Sequence, residues 1–258
     1  MRDFTLYKYT GLLRQLQQAG YIMLSFEDYL TMSDVPERFV ILRHDIDKRA
    51  NQALLMATVE KELGAHTTYY FRIVPESNKL DIIRKLAAMG FEIGYHYEDV
   101  TICNGNIKEA ARHFEDSLAY FRQYYPVKTV CMHGSPRSEY DNRDLWKHYD
   151  YHVYGIIGEP YFDIDFSNVF YLTDTGRRWD GYNVSVRDKI PQYQDQWIAD
   201  GLVYHTTDDI ITAAKEGRLP MHIMMTTHPQ RWLDNMVLWC YELMRQSLVN
   251  MVKRFMTK

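Results

Sequence analysis

The chain has 258 residues, of which 46% are hydrophobic and 25% are charged, and its formal net charge at pH 7 is -4. This length allows one large domain with a substantial core, or two small ones. The negative charge and the lack of Lys/Arg clusters argue against a nucleic-acid partner, and no apolar stretch of the sequence is long enough to cross a bilayer.

The cysteines and the N-terminus bear on the cellular compartment. Cys103, Cys131 and Cys240 are odd in number and lack the paired spacing of a cysteine metal site. The first residues lack the basic, then apolar, then small pattern of a signal peptide. We therefore expect reduced, free thiols and a cytoplasmic location.

The first half of the chain alternates between helical and strand patterns. Ser25 with Asp28 forms a capping box that opens a short helix, and Ser77 is expected to cap a later one. In chain order, the predicted elements are a helix over 6–19, a strand over 21–24, a helix over 26–30, a strand over 39–42, a helix over 50–63, a strand over 67–71, a helix over 78–89, a strand over 91–96, a helix over 107–124 and a strand over 127–132.

The periodicity weakens over residues 141–187, where strands are predicted over 153–157 and 169–172. Thr206 then opens a capped helix, a last buried strand spans 221–227, and an amphipathic helix closes the chain. Repeated strand–helix units predict an α/β fold with a mainly parallel sheet and right-handed crossovers. Periodicity alone leaves open whether this sheet closes into a barrel.

Four of the predicted strands end in polar residues. Asp45 and Asp47 follow the first buried strand, and His96, His133 and His228 stand at the ends of three later ones. Because the carboxyl ends of parallel strands meet at one edge of the sheet, we expect these side chains to converge. Two aspartates so close together repel each other, unless a cation lies between them or one of them acts as a base.

Asp45 and Asp47 could instead cap a helix and pair with the neighbouring cations Arg43, Lys48 or Arg49. The histidines at equivalent strand ends favour a metal site, because imidazole with carboxylate is a usual ligand set for zinc. A bound zinc ion lowers the pKa of its water to about 7 and polarises a carbonyl group. A carboxylate base and an imidazole acid would complete the hydrolysis of an amide or ester.

Several motifs occur in the order and spacing of one known family. They are Ile41–Asp47 (ILRHDID), Thr67–Phe71 (TTYYF), Glu92–His96 (EIGYH), Asp174 with Trp179, and Met224–His228. Across residues 39–232 the chain thus resembles the polysaccharide deacetylase family (NodB homology, carbohydrate esterase family four). Its Arg-His-Asp-Ile-Asp string resembles a divergent branch that is associated with bacterial surface-polysaccharide genes.

The resemblance implies a distorted (β/α) barrel with mostly parallel strands. It implies one domain over residues 1–258, with a helical lead-in over 1–36 and a C-terminal helix over 233–258. It also implies a metal-dependent deacetylase that acts on a carbohydrate, such as an acetylated amino sugar or a surface-polysaccharide precursor. The alternatives are a saccharide-binding module that has lost its activity and a hydrolase of cyclic, allantoin-like amides.

By this resemblance Asp45 is the catalytic base, His228 is the general acid, and Asp47 and His96 bind a divalent metal, which we expect to be zinc. The second histidine of the family motif is replaced here by Val100. We therefore expect His133 to be the third metal ligand, with Glu98 as the alternative. Substrate contacts are expected from Tyr95, Glu98, Ser135, Asp174 and Trp179. The oligomeric state, including dimerisation through the last helix, stays open.

Overall fold

The computed structural model of the chain describes residues 2–134, 138–185 and 187–256, with side chains through residue 252. The strands are β1 (Ile22–Leu24), β2 (Phe39–Ile46), β3 (Thr68–Phe71), β4 (Glu92–Tyr97), β5 (Val130–Met132), β6 (Phe170–Thr173) and β7 (His222–Thr227). The α-helices are α1 (Leu6–Gln18), α2 (Phe26–Thr31), α3 (Asn51–Glu62), α4 (Leu80–Ala88), α5 (Asp99–Ile102), α6 (Ile107–Arg122), α7 (Pro160–Asp163), α8 (Pro191–Ala199), α9 (Thr207–Lys215) and α10 (Met236–Met256).

All strand pairs in the described sheet are parallel, and the strand order is β5-β4-β3-β2-β7-β6, with β1 also paired to β2. β2 is the central strand and is buried along its whole length. One of its edges pairs with β7, and the other pairs first with β1 and then with β3. The predicted α/β fold is confirmed, and the curled sheet forms a half-barrel with helices packed around it.

Two hydrophobic clusters hold the helices on the sheet. One joins α1 and α9 to β1, β2, β6 and β7, and the other joins α4 and α6 to β3, β4 and β5. The capping boxes expected at Ser25 and Thr206 both form, since each hydroxyl accepts from the backbone N–H of an Asp three residues on. These caps fix the starts of α2 and α9.

The prediction of a strand over residues 153–157 is wrong. Residues Tyr151–Tyr154 form a 3₁₀ helix, because Asp150 caps its start and Gly155 ends it with a φ of 70°. A left-handed residue of this kind is typical of a helix end and interrupts an extended strand. The apolar run at 153–157 therefore belongs to a turn that returns the chain toward β5.

One face of α3 is buried, and the cap expected for α4 does not form. In α3, Leu55 is 49% exposed, while Ala53, Met56 and Ala57 are buried. Ser77 does not cap α4, because its hydroxyl accepts from the backbone N–H of Arg72. The small alanines let α3 lie close to the sheet, and this closeness selects the face that is buried.

The segments near the two ends of the chain contact the rest of the fold. α1 lies against α9, and β1 extends the sheet beside β2. At the other end, the Asn250 amide of α10 donates to the Gly176 carbonyl at 2.8 Å. Within the described ranges no helix combines the length and the apolarity that a membrane span requires.

Candidate metal and catalytic site

The polar strand ends line one cavity of about 190 Å³. Asp45 and Asp47 stand at the end of β2, His96 lies in β4, and His133 and His228 directly follow β5 and β7. The parallel register places these carboxyl ends side by side, as the sequence predicted. All five side chains expected to form the centre are therefore together.

Three of these side chains suit a metal ion. Asp47 Oδ1 lies 3.5 Å from His133 Nε2 and 3.8 Å from His96 Nε2, and one ligand atom of each residue lies within 4.8 Å of the others. Ligands bound to a tetrahedral zinc ion at about 2.0–2.2 Å are themselves roughly 3.4 Å apart. Asp47 Oδ1 is buried without a hydrogen-bond partner, whereas its other oxygen accepts from Gln230 at 3.0 Å. The donor set and its orphaned oxygen fit a cation.

Hydrogen bonds behind the two histidines select the ring nitrogen that faces the cavity. His96 Nδ1 donates to the carbonyl of Cys131 at 2.9 Å, and His133 Nδ1 donates to Glu98 Oε2 at 2.9 Å. In the neutral form of each ring these bonds leave the lone pair on Nε2, and this is the form in which imidazole binds a metal. Burial lowers the pKa of His96 to about 4, which keeps this ring neutral.

Glu98 supports His133 from behind. Its carboxylate accepts two 2.7 Å hydrogen bonds from Arg72, and it is buried outside the cavity lining. Burial raises the pKa of Glu98, but His133 and Arg72 lower it by more, so the carboxylate stays ionised. This placement makes Glu98 an orienting group, and the structure does not bring it to the expected substrate position.

Asp45 lies beside the three metal-binding candidates. Arg43 donates to Asp45 Oδ2 at 3.1 Å, and the same oxygen lies 3.8 Å from His96 Nε2. Its second oxygen, Oδ1, is buried without a hydrogen-bond partner. The Arg43 guanidinium is itself held over the Tyr161 ring at 5.4 Å. The carboxylate is thus anchored through one oxygen while the other keeps its lone pairs.

His228 is held from behind by Asp174. The ring Nδ1 lies 2.6 Å from Asp174 Oδ1, and the backbone N–H of His228 donates to Oδ2 at 2.9 Å. Arg231 and the indole of Trp232 also donate to this fully buried carboxylate. Burial and Arg231 lower the pKa of His228, but Asp174 raises it by more, so the net shift is upward. His228 Nε2 faces the site, 4.0 Å from Asp47 Oδ2.

Not every expected substrate contact reaches the cavity. Tyr95 precedes His96 on β4 and points to the opposite face, where its hydroxyl donates to Asp99 at 3.0 Å. Trp179 is buried in the core, and its indole donates to Thr207 at 3.0 Å. Asp174 stands behind His228 and outside the lining. Ser135 lies outside the described residues.

The structure adds cavity residues that the sequence reasoning missed. Asp188 is half-buried there, accepting from Thr173 at 2.7 Å and from the Tyr161 hydroxyl at 3.1 Å. Burial raises the pKa of Asp188, but nearby cations, His228 first, lower it to about 2. Arg187, Arg245 and Gln246 line the same cavity. They come from an irregular segment and the last helix, where no strand-end pattern could have indicated them.

Cys131 forms a second group with Asp45 and His96, each offering one ligand atom within 4.8 Å of the others. Its thiol is fully buried in β5, and burial raises its pKa strongly. A metal binds the thiolate, so this raised pKa opposes ligation through Cys131. The group of Asp47, His96 and His133 fits a cation better.

No protein-family model matches the sequence, and no curated protein matches it. Among solved structures, the chain is similar to the Xyl-CE4 domain of a multidomain xylanase from the hindgut metagenome of Trinervitermes trinervoides. The two are 12% identical, the match covers 84% of this chain and 85% of that one, and the TM-score is 0.43. At this level of similarity, the chemistry of the site has to be inferred from its side-chain geometry.

Proposed function

We propose that this protein is a metal-dependent hydrolase that removes an N-acetyl or related acyl group from an amino sugar or a surface-polysaccharide precursor. The observation that carries the proposal is the convergence of Asp47, His96 and His133, with Asp45 and His228 beside them. The amino-sugar substrate rests on the motif resemblance of residues 41–47 and 92–96.

Asp47, His96 and His133 would hold the metal. One carboxylate and two imidazoles are a donor set that suits zinc. Bound there, zinc would polarise the acyl carbonyl and acidify a water molecule. Glu98 and the Cys131 carbonyl keep both rings oriented for this role.

The protein's own groups would then move two protons. Asp45 takes the proton of the attacking water on Oδ1, the oxygen that Arg43 leaves free. His228, whose pKa is raised by Asp174, donates a proton from Nε2 to the departing nitrogen. The carbon–nitrogen bond breaks, and the products are the carboxylate and the free amine.

The experiment measures acetate release from acetylated hexosamines and their oligomers, with zinc supplied and then removed by a chelator. We expect metal-dependent release that falls by about 10²–10⁴-fold in Asp45→Asn, because the base is lost. Asp45→Asn should retain bound zinc, whereas Asp47→Asn should lose it. Full activity in Asp45→Asn would contradict the assigned base, and activity that survives chelation would contradict the metal.

The two alternatives can be tested beside it. The argument for a saccharide-binding module without activity is Val100, which stands in place of the second histidine of the family motif and is buried in α5. His133, 3.5 Å from Asp47, offers an imidazole in its place. That module would bind saccharides without metal, and Asp47→Ala would not change the binding. A cyclic-amide hydrolase would instead cleave allantoin-like compounds in a parallel assay and leave acetylated sugars intact.

A further inference from the structure

The last helix, α10, has its polar and apolar faces reversed relative to an ordinary surface helix. Its inward face carries Glu242 and Gln246, both buried. Its outward face carries an apolar row that we call the outer seam. The seam consists of side chains that are each more than half exposed: Val237, Tyr241, Met244, Leu248 and Met251.

The orientation of α10 is held by polar contacts with the body of the protein. The Glu242 carboxylate lies 3.5 Å from Lys48 and 3.8 Å from Arg49, and the indole of Trp239 donates to the Asp3 carbonyl at 2.7 Å. Rotating the seam inward would bury apolar side chains against these charges and break the contacts. The seam is therefore an outward surface of the folded chain.

The spacing of the seam indicates the kind of partner. Its residues are separated by four, three, four and three positions, which is the heptad repeat of a coiled coil. The outward positions over 237–252 include no charged residue, so the row is continuous. Contiguous apolar surface of this kind marks an interaction site.

We propose that a second copy of this chain covers the outer seam with its own α10, so that the protein is a homodimer. Across a two-fold axis, the outer seam of one copy packs on the outer seam of the other, as in an isologous interface. Burying an exposed Val, Leu, Met or Tyr side chain removes roughly 50–100 Å² of apolar surface. Five such side chains on each of two copies therefore remove on the order of 500–1,000 Å². The flanking Leu238 and Val252, both exposed, bring the total to the ~1,000 Å² that a specific interface needs.

A membrane surface fits the seam less well. Helices that lie in a bilayer interface turn a polar face rich in Lys and Arg toward water. The polar face of α10 is instead packed on the protein, where Gln246 and Arg245 form part of the wall of the candidate site. The dimer interface would therefore lie directly behind one wall of that cavity.

The test is the mass of the full-length protein in solution, measured by sedimentation velocity and by light scattering over a range of micromolar concentrations. We expect a dimer for the wild type. Leu248→Glu should weaken it at least ~100-fold, because two carboxylates would be buried at the seam. The matched control is Leu55→Glu, since Leu55 is also an exposed helical leucine (49% against 64% for Leu248) and lies far from the seam in sequence.

Circular dichroism checks that both variants fold, and Met244→Lys provides a second change in the seam if Leu248→Glu does not. A monomeric wild type at the highest concentration would overturn the proposal. A dimer that persists in both seam variants would also overturn it, because the interface would then lie elsewhere. A monomer that binds neutral or anionic lipid vesicles through the seam would replace it with a membrane surface.

Discussion

The two histidines at the proposed metal site are oriented by hydrogen-bond partners on the side of each ring that faces away from the cavity. A carbonyl can only accept a hydrogen bond, so the Cys131 carbonyl fixes the proton of His96 on Nδ1 and leaves Nε2 free. Glu98 does the same for His133, and Arg72 holds Glu98 in turn. Glu98 and Asp174, which were expected from the sequence to contact substrate, thus orient histidines of the site instead.

Asp174 is the clearest of these orienting residues to test. Asp174→Asn keeps the shape of the side chain but removes the charge that stabilises a protonated His228. We expect kcat for acetate release to fall by about 10²–10⁴-fold with little change in KM, because the proton donor is weakened and misoriented. Steady-state kinetics with metal analysis checks this, and the exposed Asp195→Asn is the control. An unchanged kcat, or a loss of bound zinc, would rule out this positioning role.

At the level of elements, the residues of the candidate site lie on one face of β2, and a buried hydrogen-bond network lies on the opposite face. His44 lies between Arg43 and Asp45 on β2 and points to the opposite face, where its Nε2 is 2.8 Å from Glu60 of α3. Glu60 is fully buried and also accepts hydrogen bonds from Tyr9 at 2.5 Å and from other hydroxyl groups. The Arg-His-Asp string therefore serves both faces of one strand.

β3 and β4 approach each other closely beside the site. A Cβ atom at Gly94 would lie 2.2 Å from the Tyr70 ring and 3.1 Å from the Thr129 carbonyl. Glycine is needed at this position because no side chain fits there. Two residues later the strand delivers His96, so the close packing sets the depth of that ring.

The pKa of Glu60 predicts how the stability of the fold depends on pH. Burial raises its pKa, but His44 and the surrounding hydroxyl donors lower it by more, so the pKa falls below its usual value. A carboxyl group of this kind stabilises the fold above its unfolded pKa of about 4.3, and the contribution is lost as the pH falls through that value and below. Glu60→Gln should therefore lower the free energy of unfolding by about 2–4 kcal/mol at neutral pH. This loss should become smaller as the pH is lowered.

Urea unfolding of the wild type and Glu60→Gln at several pH values checks this prediction. Glu62→Gln on the same helix is the control, because Glu62 is exposed. A destabilisation that stays the same from neutral to acid pH would show that the charge of Glu60 is not its cause.

For the whole molecule, metal binding and folding should be coupled, because the three proposed ligands come from three separate strand ends. Zinc at a hundred times its Kd would stabilise the fold by about 2.7 kcal/mol. For a chain of this length that raises Tm by roughly 5–10 °C. Thermal melts with zinc and with chelator measure the shift.

His133→Ala should lose most of this shift, while His148→Ala, which alters an exposed histidine, should keep it. An equal zinc-dependent shift in both variants would place the ion at another site.

The parallel sheet and the edge where the polar groups meet could be predicted from the sequence. Buried strands that alternate with amphipathic helices leave few arrangements, and parallel strands bring their carboxyl ends together. This is why the sequence alone indicates the five residues that line the cavity together: Asp45, Asp47, His96, His133 and His228. The alternation of side chains along β4 also places Tyr95 on the face opposite His96.

Only the tertiary structure decided which groups act at the site and which support it. Glu98 and Asp174 stand behind histidines rather than in the cavity, and Asp188 and Arg245 enter from segments without strand periodicity. The physical reason is that local patterns encode the face on which a side chain lies. The distance between two such faces depends on the packing of residues that are far apart in the chain.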